Sequence, residues 1–274
     1  LVNDTHQEYL ARPEISRGRI VSEIENSSYK ANYDAINGIV ATSAMKLGSA
    51  AHAAVLEPKV FQQDWVIFEG PKTCKTGGIP TGKWADFLDL HSYDEDKILK
   101  PHEYRLCLDI QNAFLNHRGF QHLIADTTHE PSVYWDEKKA RFDAYKKGVV
   151  IDIKTARDIS DDGLERALGV SNMIQIPHYL EGAAAVEGIE FDWVTAEDFG
   201  DLPSFIFAFV SKTAPFEVRL KEVPFEHVKR AAMHRHVALE QIKHCQETKV
   251  FPSYSQGIEP LSTKPYIFPA EDPQ

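Results

Sequence analysis

The chain has 274 residues, 43% of them hydrophobic, with 15 Gly and 15 Pro, which is enough to bury one large core. No run nears the roughly 18 apolar residues that a membrane span needs, and Leu1 opens no basic-then-apolar leader. A net charge of -11 speaks against a protein that coats nucleic acid non-specifically, and Cys74, Cys107 and Cys245 are too widely spaced for a metal knuckle and read as free thiols of a reducing cytoplasm.

Residues 1–20 are polar and irregular, with Ser16 placed to cap a short helix over 17–24. Residues 25–37, rich in Asn, Ser and Tyr, read as a loop. Thr42–Leu56 reads as a helix of small residues stopped by Glu57-Pro58, with Gly48, Ala51 and Val55 along one stripe. His52 sits among alanines there, either as a core histidine bonded to a carbonyl or as a functional group. The loop PKTCKTGGIPTGK carries Lys72, Lys75 and Lys83 but no Walker pattern; it is either a solvated loop or a phosphate-contacting arm. A short helix over Trp84–His91, an acidic turn at Asp94–Asp96 and one long helix over Pro101–Ile124 follow. The histidines of that long helix, His102, His117 and His122, fit no metal spacing. Glu130 opens a strand that runs to Trp135.

Arg141–Thr155, RFDAYKKGVVIDIKT, alternates on both sides of a Lys147-Gly148 turn. A two-residue turn there sets Asp143 directly opposite Asp152, with Lys154 further along the same face. Ala140, Phe142, Ala144, Val149, Ile151 and Ile153 form the other, apolar face. Two carboxylates placed cross-strand repel each other, and a divalent cation between them removes that repulsion. Beside such an ion Lys154 can orient or deprotonate a water, or offset charge building on a phosphate. The plain alternative is a surface Asp–Lys ion pair on an ordinary hairpin.

Beyond the hairpin, short and long helices are expected over Gly163–Leu168 and Asn172–Val186, with Pro177 in the first turn of the second. Gln175 and Tyr179, four apart, share a face of that helix. Phe205–Ser211 and Glu217–Val223 read as a strand pair. Phe225–Glu247 reads as an amphipathic helix with Val228, Ala231, Ala232, Val237, Leu239 and Ile242 inward and Lys229, Arg230, Arg235 and Lys243 outward. The end, to about residue 266, is Pro-rich and irregular. With no repeat and no convincing boundary, one domain over 1–274 is expected.

Asp143 followed by Asp152-Ile153-Lys154 resembles the PD-(D/E)XK nuclease signature, with Phe142 where the proline stands and Asp in place of Glu. Gly48-x-x-x-His52 with Leu56-Glu57-Pro58 before it, and Gln175-x-x-x-Tyr179 after it, resemble the RecE-type exonuclease VIII family, related to lambda exonuclease and the RecB nuclease domain. The resemblance spans roughly residues 10–266. It implies an α/β fold with a restriction-endonuclease-like core, a central mixed β-sheet flanked by helices. It further implies a Mg²⁺- or Mn²⁺-dependent 5′-to-3′ exodeoxyribonuclease acting on double-stranded DNA ends and leaving 3′ tails for recombination. By this resemblance Asp143, Asp152, the Ile153 carbonyl, His52 and Glu130 hold metal, Lys154 is catalytic, and Gln175 and Tyr179 support Lys154 or the DNA backbone. It implies a ring-shaped homo-oligomer, trimer or tetramer, a RecT-type single-strand annealing partner, and a cytoplasmic, bacterial or phage-encoded setting. A nuclease with single-strand or endonucleolytic substrates and a non-catalytic DNA-binding module are the two competing readings.

Overall fold

The computed structural model describes residues 1–91, 95–255 and 257–258; the expected acidic turn at 94–96 and the closing segment lie partly outside that set. The first helices begin at side-chain caps. Thr5 and Glu8 form a reciprocal capping box ahead of α1 (His6–Ala11), a signal that was readable and overlooked. After β1 (Ile15–Ser16), Ser16 caps α2 (Arg17–Glu25) as expected. Residues 25–37 are not a loop: Ser27 caps α3 (Ser28–Asn37), and the Lys30–Asp34 pair spans one of its turns. Thr42 caps α4 (Ser43–Leu56), and Pro58 then opens α5 (Pro58–Asp64), where its missing N–H is harmless.

The chain continues through β2 (Val66–Ile67), α6 (Lys83–His91) and β3 (Ile98–Leu99), which pairs with β2 in parallel. The long helix expected over 101–124 is two, α7 (Pro101–Asn116) and α8 (Arg118–Ile124). His117 makes the break: it leaves the helical backbone, and its Nδ1 accepts the Phe120 N–H at 3.0 Å to cap α8.

Next come β4 (Thr128–His129), β5 (Ser132–Trp135), β6 (Lys138–Arg141), β7 (Ala144–Lys146) and β8 (Val149–Ala156). β4 pairs with β7 and β5 with β6 in one continuous antiparallel register, running from Thr128 against Tyr145 to Trp135 against Lys138. The four strands are therefore a single long hairpin, closed by Asp136-Glu137 with both residues at positive φ. It bends where Glu130-Pro131 faces Phe142-Asp143, and the bend sends its two halves into different sheets. One sheet has the order β1-β6-β5. The other is mixed, with the order β10-β9-β8-β7-β4, where β9 is Ser204–Ser211 and β10 is Val218–Lys221.

β7 and β8 turn through Lys147-Gly148, where Gly148 takes φ 80° as only glycine does readily, and they pair in the register read from the sequence. β8 then crosses over to parallel β9 through α9 (Asp161–Glu187). α9 joins the two expected helices across a kink at Gly169, φ 42°, so Pro177 lies well inside it rather than in a first turn. α10 (Phe225–Thr248) is the last helix among the described residues.

Both faces of the mixed sheet are covered. Ala144, Ile151 and Ile153 pack with Ala50, Ala51 and Ala54 of α4 and with α7. The opposite face packs Tyr145, Val150 and Phe207 against Ile176, Tyr179 and Leu180 of α9. The bend also corrects the expected apolar face, since Ala140 and Phe142 belong to this second core and not beside Ala144. On α10 the buried stripe is Val228, Ala231, Ala232, Arg235, Ala238, Ile242 and Cys245. Val237, expected inside, is 68% exposed, and Arg235, expected outside, is only 3% exposed. Among the described residues no helix is long and apolar enough to cross a membrane.

Candidate active site

The bend in the long hairpin brings acids into one row. Glu130 faces Asp143 across it, with the Glu130 N–H donating to the Asp143 carbonyl at 2.9 Å. One step further, the β7–β8 register carries Asp143 to Asp152. Three carboxylates thus lie side by side on three adjacent segments of backbone. Glu130 sits at φ 53°, unusual for a residue with a Cβ, where strain of about 1–3 kcal/mol is held by its surroundings.

Each acid is held differently. Asp143 Oδ2 accepts the Ile153 N–H at 2.6 Å and lies 3.3 Å from Nδ1 of His52 on α4. Because a strand residue's N–H and C=O point to the same side, the Ile153 carbonyl also faces the edge where β7 has ended. Glu130 Oε2 accepts from Arg141 Nε at 2.8 Å, and Arg141 Nη1 donates to the Asp4 carbonyl at 2.7 Å. Asp152, only 1% exposed, accepts from Gln175 Nε2 through Oδ1, while Oδ2 pairs with the Lys154 ammonium.

The electrostatics show two carboxylates whose charge burial resists, although each acid has a cationic neighbour. Burial pushes Glu130 up, and Asp143 adds to it, to about 7 despite Arg141. Burial likewise raises Asp152 above the usual carboxylate range, against the pull of Lys154. Burial opposes the charged form of His52, but the charge of Asp143 and the bond to it outweigh that and raise the imidazole to about 9. Burial also opposes ionisation of Asp143; His52, Lys154 and the Ile153 N–H together hold it below its ordinary value.

The donor set fits a divalent cation. One ligand atom each from His52, Glu130 and Asp143 lie within 4.8 Å of one another, and two carboxylates with an imidazole can hold a divalent cation. Asp152 stands beside this trio, its Oδ2 paired with Lys154. Lys154 lies next to it, its Nζ 5.9 Å from the Phe207 ring centre. Gln175 touches Asp152, whereas Tyr179 is packed among Phe142, Phe205 and His178 rings in the core. Sequence reasoning missed Arg141. Its signal was present, since the strand pairing that sets Asp143 against Glu130 puts Arg141 two residues away. The basic loop is a small hairpin bridged at Cys74 and Pro80, with Lys72 over the Trp84 ring at 4.6 Å.

Residues 23–264 match the model of a family described as "PDDEXK-like domain of unknown function (DUF3799)". The crystal structure described as "Putative exonuclease" from Eubacterium rectale is similar in fold, at TM-score 0.63 and 13% identity. That likeness covers 99% of this chain and 100% of the other. No curated protein matches.

Proposed function

Because the chain belongs to the family of PDDEXK-like domains of unknown function (DUF3799), we propose that it is a divalent-metal-dependent nuclease that degrades linear double-stranded DNA from its ends. The observation that carries this reading is the row Glu130–Asp143–Asp152 with His52 over it and Lys154 beside it. The similar fold of the Eubacterium rectale chain and its printed name support exonuclease action. The RecE-like segments around His52 and Gln175 favour the 5′-ended strand as the one removed, with 3′ tails left for annealing.

His52, Glu130, Asp143 and Asp152 would hold Mg²⁺ or Mn²⁺, with the Ile153 carbonyl facing the same edge. When bound, such a cation polarises the scissile phosphate and offsets its growing charge. Lys154 presents its ammonium at the rim of this set, where it can orient the attacking water by hydrogen bonding. The water oxygen bonds to phosphorus as the bond to the leaving oxygen breaks; the attacking water gives its proton to solvent and the leaving oxygen takes one from solvent. Arg141 holds Glu130 on one oxygen and leaves the other free. Gln175 fixes Asp152, and Tyr179 braces that part of α9 from the core. Double-stranded ends as substrate, a ring of three or four copies, and a RecT-type annealing partner belong to the same reading.

The test is digestion of a linear duplex labelled at the 5′ or 3′ end, with Mg²⁺, Mn²⁺ or EDTA, beside a closed circle. Metal-dependent loss from 5′ ends with the circle spared is expected. A cut circle would make the enzyme an endonuclease, and no cleavage with either metal would leave a DNA-binding module.

A further inference from the structure

Gln175 is 2% exposed and its amide has only one workable orientation. Its Nε2 donates to the Asp152 carboxylate, so its Oε1 must face a donor. That donor is Arg17 of α2, whose Nη1 reaches Gln175 Oε1 at 3.4 Å and Ser171 Oγ at 2.9 Å. Ser171 and Gln175 are one turn apart on the same face of α9, so a single guanidinium spans both. A guanidinium can only donate and an ionised carboxylate can only accept. Between them the amide cannot flip without setting oxygen against oxygen and nitrogen against nitrogen.

From these contacts we infer that Arg17 is a positioning residue of the nuclease site, acting through Gln175 on Asp152 and thereby on Lys154. The inference rests on the nuclease reading. The connection runs from α2 through α9 to β8, in three contacts: Arg17 to Gln175, Gln175 to Asp152, Asp152 to Lys154. Gln175 thus acts as an oriented donor rather than filling space, and Arg17 sets that orientation without touching the carboxylates. Asp152 depends on it because its rotamer rests on two contacts, the Gln175 bond to Oδ1 and the Lys154 ion pair at Oδ2.

The experiment is a double-mutant cycle of Arg17→Ala and Gln175→Ala, read as kcat and KM on linear duplex at two salt concentrations. Outer positions that orient a site's inner groups are typically worth about 10–100-fold. Arg17→Ala should lower kcat by about that factor with KM little changed. Added to Gln175→Ala it should cost less than about twofold more, because the group it orients is gone. Losses that multiply in the double variant, or an Arg17→Ala effect confined to KM that shrinks as salt rises, would overturn the inference and make Arg17 a phosphate contact. If Arg17→Ala does not fold, Arg17→Lys replaces it: with an unchanged melting temperature it should still lose kcat, since the lysine ammonium stops one bond short of the Nη1 position that meets Gln175 and Ser171, and full kcat would overturn the inference. An inactive wild type would sink the nuclease reading itself, and the inference with it; an active wild type with multiplying losses would sink the inference alone.

Discussion

Helix α9 separates two clusters of buried charge with opposite electrostatics. On one flank Glu181 takes Lys138 at 2.6 Å, Arg235 as an ion pair and the Trp135 N–H at 3.1 Å. His178 Nε2 lies 3.0 Å from the Lys139 carbonyl and must donate to it, which leaves Nδ1 to accept from Arg235 Nε at 3.2 Å. Burial opposes the charge on Glu181, but Arg235 and Lys138 draw it down to about 2; burial and the Arg235 charge push His178 down to about 3. Each group is held in one protonation state. On the other flank burial pushes Asp152 and Glu130 up, and cations do not fully answer them. The first cluster ties α9 to β6 and α10; the second holds carboxylates whose charge burial resists, as expected of a functional site.

The comparison is broken most severely by Lys154→Ala. It should cut single-turnover cleavage by about 10²–10⁴-fold while duplex binding persists, and undiminished cleavage would remove Lys154 from the chemistry. Arg235→Met should have the opposite profile. It strips Glu181 of a buried partner and should destabilise the fold by about 3 kcal/mol in denaturant unfolding, with any surviving folded enzyme cutting normally. Asp152→Asn sharpens the contrast, because it removes a carboxylate that burial disfavours. Cleavage should vanish while the metal-free protein melts no lower than wild type; a drop of several degrees would show that the charge stabilises the fold.

Acid unfolding separates the clusters by pH. His178 titrates near 6.5 when unfolded and near 3 in the fold. Its contribution to stability is therefore full above pH 6.5 and is lost as pH falls through about 3, by up to about 1.4 kcal/mol per pH unit. Glu181 acts in the same direction, from 4.5 down to about 2. His178→Gln should flatten the stability profile between pH 6 and about 4, and an unchanged slope would contradict a neutral buried His178. The smallest effect belongs to Thr42→Ala, which removes the cap of α4. It should cost about 1 kcal/mol of stability without moving the cleavage rate.

Several parts of this arrangement were legible beforehand for a physical reason. A two-residue turn leaves a hairpin one register, so Asp143 against Asp152 followed from Lys147-Gly148 and the alternation around it. His52 and Gln175 were singled out only because their segments resemble those of a known nuclease family; spacing alone left His52 a core histidine and Gln175 an ordinary helix residue. What escaped depends on contacts distant in sequence. Arg141 reaches Glu130 across the long hairpin, and Arg17 meets Gln175 across 158 residues. Arg235 was misplaced because charge was taken to mean exposure, although its position on the Val228–Ala231–Ala238–Ile242 stripe was periodic enough to say otherwise. The helix at 28–37 was hidden by residues of poor propensity, and only the Ser27 cap and the Lys30–Asp34 pair announced it.

The central claim is that the row of Glu130, Asp143 and Asp152, and not the cluster around Glu181, binds the cation. Calorimetric titration of Mn²⁺ into the wild type and Asp143→Asn, side by side and without DNA, tests it most directly. Binding in the wild type, weakened at least about tenfold in the variant, is the predicted result, because Asp143 stands between the other two carboxylates of the row. Equal binding by both proteins, or none by the wild type, would contradict it.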